Sequence, residues 1–227
     1  MLVRSHGIVV GMNTTLSPRA MVRFGWETFK SRGWFFTGAY VFAILAYGGA
    51  SRLIETIFGS NAPEPQIGVL YGIGVLLSFV VNVLSNMGMT WFSLKAHDGP
   101  STVTLHDLWH PRPFWTFVGV SILSALCVLG GLFLLIIPGF IVALMLMFGS
   151  YIILEKNVGP VAALQESRRI TKGHLKSLFV LVLLLTGVNI LGFLALVVGL
   201  AVSIPVSMFA TVHAYRTLSQ VAPQNVA

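Results

Sequence analysis

Apolar residues fill this chain in long unbroken blocks, and the charged ones are pushed to the junctions between them. Between Arg112 and Glu155 run 42 residues without Asp, Glu, Lys or Arg, and between Lys176 and Arg216 run another 39. A bilayer-spanning helix needs about 20 apolar residues, so each block is too long for one span and fits two joined by a tight uncharged turn. The pattern predicts six spans, at residues 35–57, 67–94, 115–135, 138–154, 177–198 and 200–215. The first block divides near Gly130-Gly131 or Pro138-Gly139 and the second near Gly199, while Arg52 and Glu55 stand near the exit of the first span. The expected fold class is all-α integral membrane, six transmembrane helices in a bundle.

Composition agrees. The 227 residues are 56% hydrophobic and 9% charged, against roughly 25% charged in soluble domains. Too little charge remains to solvate a globule, and disordered or collagen-like readings fail on the same ground. The net charge of +7 is not arranged as a basic stripe with interleaved aromatics, so nucleic acid is not an expected partner. The single Cys127 allows no internal disulfide and no Cys-based zinc site, and its apolar surroundings predict a packed thiol. Residues 1–18 lack the architecture of a signal peptide, and Met12 offers a second candidate start. The expected organisation is a flexible segment at 1–16, one six-span membrane domain at 17–220 and a tail at 221–227.

An even number of spans puts both termini on one side, and the charges test that. Arg4, Arg19, Arg23, Lys30, Arg32, Lys95, Arg112, Lys156, Arg168, Arg169, Lys172, Lys176 and Arg216 fall on the terminal side; only Arg52 falls opposite, beside Glu55 and Glu64. By the positive-inside rule, that side is the cytoplasm, and both termini are expected there.

The loops are not independent of one another. Met89-Thr90-Trp91-Phe92-Ser93-Leu94-Lys95-Ala96-His97-Asp98-Gly99-Pro100 aligns without gaps, 60 residues on, with Gly149-Ser150-Tyr151-Ile152-Ile153-Leu154-Glu155-Lys156-Asn157-Val158-Gly159-Pro160. Each copy ends a span, exits through a charged turn and meets Gly-Pro, which suits the first turn of a new helix. Ser17-Pro18 occupies the equivalent place near the N-terminus, and Thr211-Val212-His213-Ala214-Tyr215-Arg216 resembles the exit once more. The unit is an interfacial amphipathic helix followed by a two-span hairpin. It occurs three times, at about 17–98, 99–158 and 159–218, which implies a quasi-symmetric bundle.

The first interfacial helix is the clearest: Arg19, Arg23, Glu27 and Lys30 share one arc, and Met21, Val22, Phe24, Gly25 and Phe29 the other, with Trp26 at the border. Such a helix is expected to lie with its apolar side in the acyl boundary and its basic side near anionic headgroups. The second (Leu105, Leu108, Trp109) and third (Ala163 and Ile170, with Gln165, Glu166, Arg169 and Lys172 opposite) are weaker versions. Two roles fit all three: connectors packed on the bundle, or faces that dock lipid or a partner.

Within the spans, Tyr71, Gly74, Ser78, Asn82, Ser85 and Asn86 recur at helical spacing, forming one polar stripe on the second span. Asn189, and Ser203 and Ser207 beside Pro205, could face the same interior. Polar groups in hydrocarbon either bond across helices or line a wet path, and both roles fit here. Pro205 is expected to kink the sixth span. His106 and His110 are spaced like metal ligands, but the zincin glutamate is replaced by Asp107, Pro111 follows His110 and no third ligand is apparent, so no metal is expected. Phosphate loops, dinucleotide fingerprints and nucleophile elbows do not occur, nor do paired carboxylates inside the membrane, since all seven acids fall in loops or at span ends. The expectation is a non-enzyme without cofactors.

One stretch resembles a known pattern. Leu135-Ile136-Ile137-Pro138-Gly139-Phe140 leads to Tyr151-Ile152-Ile153-Leu154-Glu155-Lys156, and then comes Gly159-Pro160-Val161-Ala162-Ala163-Leu164-Gln165-Glu166-Ser167-Arg168-Arg169-Ile170-Thr171-Lys172-Gly173-His174. It is similar to a group of bacterial multi-pass proteins related to the membrane domain of glycerophosphodiester phosphodiesterases and to YciC-like proteins. The resemblance implies an Ile-Pro-Gly turn opening a span and a basic loop after it; the acidic metal-binding residues of the phosphodiesterase module have no counterpart here. It makes Arg168, Arg169 and Lys172, with Arg19, Arg23 and Lys30, the expected contacts for anionic lipid or a partner. Expected partners are thus membrane lipids, through anionic headgroups on the cytoplasmic side, and other membrane proteins. The runner-up reading is a transporter or channel for a neutral or lipidic substrate, using Tyr71, Ser78, Asn82, Ser85, Asn86 and Asn189.

Overall fold

The computed structural model describes residues 17–58, 69–195 and 199–221. The expected N-terminal segment at 1–16, the expected tail at 221–227 apart from Val221, and residues 59–68 and 196–198 lie outside the described residues. Among those described, the fold is entirely helical: α1 (Pro18–Ser31), α2 (Gly33–Phe58), α3 (Val69–Asp98), a 3-10 turn (Leu105–Leu108), α4 (Phe114–Leu134), α5 (Ile136–Leu146), α6 (Gly149–Lys156), α7 (Pro160–Thr171), α8 (Leu175–Leu194) and α9 (Leu200–Val221).

Five helical stretches in the described residues are long and apolar enough to cross a membrane: Gly33–Phe58, Val69–Asp98, Phe114–Phe133, Ile136–Lys156 and Leu175–Leu194. They coincide with the first five expected spans, with ends shifted by a few residues. α9 does not reach that apolarity, and its surroundings give the reason. It packs against α1, α2, α3, α7 and α8, and Phe209, Ala210, Val212, Ala214 and Tyr215 are fully buried. The other long helices present rows of exposed Leu, Ile, Val and Phe, whereas α9 exposes no large apolar side chain before Val221. A helix sheathed by its neighbours needs no lipid-compatible face. Antiparallel pairing of α8 and α9 follows from Asn189, which donates to Ser207 Oγ at 2.9 Å and accepts from Ser203 Oγ at 2.8 Å. Pro205 sits inside α9 without ending it.

The first charge-free block turns between the two expected places, Gly130-Gly131 and Pro138-Gly139. Leu135 alone breaks the chain, in extended geometry (φ −168°, ψ 150°). Gly131 and Gly139 lie on either side of it, and a Cβ on Gly131 would come within 2.8 Å of the Gly139 Cα. The glycines therefore bring α4 and α5 together, and the turn needs no special residue. The fourth expected span is one path in two pieces, α5 and α6, broken at Met147-Phe148. Helix α7 supplies what the break leaves unpaired: Ser167 donates to Met145 O at 2.8 Å and accepts from Phe148 N at 3.2 Å, and Thr171 reaches Met145 O at 3.3 Å. Backbone groups freed inside a bilayer demand such partners.

The interfacial elements differ from expectation in one consistent respect: their apolar sides face protein, not acyl chains. Met21, Gly25, Thr28 and Phe29 of α1 are buried, with α8 and α9 as its main partners. The second element is a single 3-10 turn, because Thr104 and Asp107 cap it reciprocally and Pro111 and Pro113 follow at once. It packs on α3, where Lys95 bonds Asp107 at 2.6 Å. Helix α7 buries Ala163, Leu164, Ser167 and Ile170 against α4, α5 and α6. Each element sits over a small residue of the helix beneath. A Cβ on Gly88 (α3) would overlap the Leu108 carbonyl; one on Gly149 (α6) would meet Leu164 at 2.9 Å; and one on Gly25 (α1) would meet Ala210 N (α9) at 2.9 Å.

Cys127 is exposed on α4 rather than packed. It occupies the outward face of a helix whose other exposed residues include Ile122, Leu126 and Leu129, so its neighbour in a bilayer is lipid.

Candidate functional site

The polar stripe of α3 does not form one site, because helical spacing fixes a face of a helix but not which neighbour covers it. Tyr71 and Ser78 line a small pocket of about 220 Å³ with Gly74, Ile54 and Glu55, between α2 and α3. Ser85 is half-buried and belongs to neither α3 pocket. Asn189 is bonded within the α8–α9 hairpin. Only Asn82 and Asn86 are brought to a larger recess, of about 490 Å³.

That recess is built from three places. Asn82, Asn86 and Thr90 come from successive turns of α3; Phe117, Val118, Ser121 and Ile122 come from α4; Met147, Ser150 and Tyr151 come from the broken junction of α5 and α6. Asn86 Nδ2 donates to Asn82 O at 2.9 Å and Asn82 Oδ1 at 3.1 Å, and Ser121 donates to Phe117 O at 2.9 Å. The hydroxyls of Thr90, Ser150 and Tyr151 have no hydrogen-bond partner among the described residues. The Tyr151 ring is held by Phe148 and Tyr215, at centroid distances of 6.2 and 5.8 Å. The lining carries no Asp, Glu, Lys, Arg or His, so it offers neutral donors and acceptors only.

At the end of the bundle, where α3, α6 and α9 finish, the three exit motifs meet. Arg216 bonds Asp98 at 2.5 Å and also Glu155, which accepts in addition from the Tyr215 hydroxyl. His97 and His213 are in contact at 3.1 Å, and Phe24 of α1 stacks on His213 with centroids 3.9 Å apart. Burial works against the Arg216 charge, but Glu155 and Asp98 outweigh it and hold the guanidinium above its ordinary value. This junction was not anticipated from sequence, although the three similar exit segments visible there all end in it. Its ion pairs tie the ends of α3, α6 and α9 together as a clamp, although Arg216 Nε is buried without a hydrogen-bond partner among the described residues.

The basic residues at this end divide into paired and exposed. Arg23 is bonded to Glu27 at 2.7 Å, and Arg169 and Lys156 both reach Glu166, at 2.8 and 3.1 Å. The Arg169 hydrogen bond, helped by Lys156, holds the Glu166 carboxyl below its usual range against the opposing effect of burial. Arg19, Arg168 and Lys172 are exposed, and Lys30 stands over the Trp26 ring at 5.7 Å. Trp34 (94% exposed), Trp115 (81%), Trp109 and Trp26 are exposed as well; Trp34 and Lys30 lie beside Ala201 and Val202 of α9, and Trp109 beside Val81 and Leu84 of α3. His106 and His110 do not share a helix face: His106 is in the 3-10 turn, and His110 lies beyond it, stacked on Trp91 with centroids 4.3 Å apart.

Residues 116–222 match the model of a family described as protein of unknown function, DUF975. The match runs from α4 to α9, contains the whole stretch that carries the resemblance noted from sequence, and leaves α1 to α3 outside. Neither a curated protein nor a solved structure matches the chain. A helical membrane protein similar to an uncharacterised family is the coarse identity these findings carry.

Proposed function

We propose that this is a six-span protein of the bacterial plasma membrane with both termini cytoplasmic, acting without catalysis through contacts with membrane lipids and other membrane proteins. The observation that carries the lipid reading is the exposure of Arg168 and Lys172 around the end of α7 and of Arg19, Trp26 and Lys30 along α1, the basic ones without an acidic partner among the described residues. Amphipathic indole rings favour the headgroup level, and Arg and Lys beside them attract anionic lipid on the cytoplasmic leaflet.

A sixth crossing is supported by the antiparallel pairing of α9 with α8 and by the meeting of its Arg216 with Asp98 and Glu155, at the ends of two other long stretches. The threefold unit is supported by the seats: Gly88, Gly149 and Ala210 are spaced 61 residues apart, and each lies beneath an interfacial element of another unit or of its own neighbour. The 61-residue step replaces the 60-residue register of the exit motifs by one position.

Arg169 and Glu166 already hold one another, so the informative variant is Arg168→Gln with Lys172→Gln. In nanodiscs of mixed phosphatidylglycerol and phosphatidylcholine, native mass spectrometry of the released protein should count fewer retained phosphatidylglycerol molecules for the double variant. The difference should shrink as salt rises. Equal retention at low salt would sink the proposal.

A second reading, a carrier for a neutral or lipidic substrate, is favoured by the neutral polar recess of α3, α4 and α6. It predicts facilitated transfer of such a substrate across proteoliposomes, where the leading reading predicts none.

A further inference from the structure

We infer that the recess between α3, α4 and the α5–α6 junction binds a neutral lipid, an apolar chain carrying uncharged hydroxyl, ester or carbonyl groups. The inference rests on α3 and α4 crossing the bilayer, which resistance to alkaline carbonate extraction reports separately.

Depth is the first argument. Counting along α3 from Asp98 at about 1.5 Å per residue, Thr90 lies about 12 Å, Asn86 about 18 Å and Asn82 about 24 Å from the basic end. The recess therefore runs from the lower headgroup region towards the middle of a hydrocarbon core about 30 Å thick. Its lining residues all lie in α3, α4 and α6, except Met147 at the α5–α6 break.

Unmet hydrogen-bonding capacity is the second. An uncompensated hydroxyl or amide in hydrocarbon is costly, so polar groups there find partners. Thr90, Ser150 and Tyr151 have none among the described residues, and the Asn82–Asn86 pair uses only part of its two amides. All five face one concave space.

Shape and charge decide the class. Beside the polar groups, on the same helices α3 and α4, stand Phe79, Val83, Phe117, Val118 and Ile122, an apolar wall suited to an acyl chain or isoprenoid. A few waters would meet the hydroxyls but leave that wall wet. An anionic headgroup would find no cation in the lining. An uncharged amphiphile satisfies both walls at once.

The test uses the full chain in phosphatidylcholine nanodiscs containing diacylglycerol with a photoactivatable acyl chain. Labelled peptides are mapped by mass spectrometry. Labelling should concentrate on α3, α4 and α6 peptides, and unlabelled diacylglycerol should compete where phosphatidylglycerol does not. Tyr151→Phe keeps the ring stack and removes one hydroxyl, so it should lower labelling about fivefold, the effect of one hydrogen bond. Asn86→Leu should lower it further. Labelling indifferent to both variants, or competed equally by every lipid, would overturn the proposal in favour of an ordinary annular groove or a water-filled one. Loss of self-association in Asn86→Leu with labelling unchanged would overturn it in favour of a contact between two copies.

Discussion

Alanine at Gly88 would drive a methyl group into the carbonyl of Leu108, a backbone atom that cannot rotate aside. At Gly25 the same change would meet Val206 O at 2.5 Å and Ala210 N at 2.9 Å, again backbone. Gly130 in α4 and Gly187 in α8 have nothing within 4 Å of an added Cβ. Replacing a helical Gly by Ala stabilises by about 0.5–1 kcal/mol when space allows, through the unfolded chain's lost freedom. Overpacking costs about 1–3 kcal/mol. Gly88→Ala and Gly25→Ala should therefore lose about 1–2 kcal/mol net, and Gly130→Ala and Gly187→Ala should be neutral or gain up to about 1 kcal/mol. The gap between the two groups, about 2 kcal/mol, is the quantity to measure. Titration from mild detergent micelles into SDS, followed by far-UV circular dichroism, reports it for all four variants. Equal midpoints for Gly88→Ala and Gly187→Ala would refute the seating of the 3-10 turn on α3.

Asn189→Leu removes hydrogen bonds to Ser203 and Ser207 between α8 and α9, and should cost about 0.6–1.7 kcal/mol in the same titration; a variant as stable as the parent would mean that these bonds are replaced on unfolding. Glu166 is depressed by Arg169 and Lys156, so its contribution is fully present above about 4.5, its ordinary value, and is lost as pH falls through the lower folded value. Amide exchange in α7 should accordingly quicken with acid in the parent and lose that part of its pH dependence in Glu166→Gln. Identical pH profiles would show that the pairs contribute nothing to holding α7.

Much of this architecture was legible because hydrocarbon excludes charge so strongly. The two charge-free blocks locate α4 with α5–α6, and α8 with most of α9, within a few residues. Gly159-Pro160 and Ser17-Pro18 begin helices as the Pro rule requires, with Pro160 and Pro18 at the first helical positions. Gly99-Pro100 does not, because Thr104 and Asp107 close a single turn before Pro111 and Pro113 intervene. The break at Met147-Phe148 left no mark in its own apolar sequence; its signature is Ser167 and Thr171, some 20 residues later. The recess was half legible. Asn82 and Asn86 stood out on α3, but Ser121, Ser150 and Tyr151 are ordinary residues until three separate segments bring them together. Amphipathicity in α1 was read correctly as a pattern and assigned to the wrong neighbour, since an apolar arc has the same composition whether it meets lipid or α9.

The proposed sixth crossing is α9, a span expected from sequence but less apolar than the other five and packed against α1, α2, α3, α7 and α8. In a Cys127→Ser background, Ser17→Cys and Gln220→Cys place single thiols at exposed positions near the two ends of the described chain. Labelling with a membrane-impermeant maleimide compares intact cells with inside-out vesicles. Six crossings with the basic end inside predict that both thiols react in the vesicles and neither in cells. Reaction of Gln220→Cys in intact cells, with Ser17→Cys protected, would mean five crossings and contradict the account.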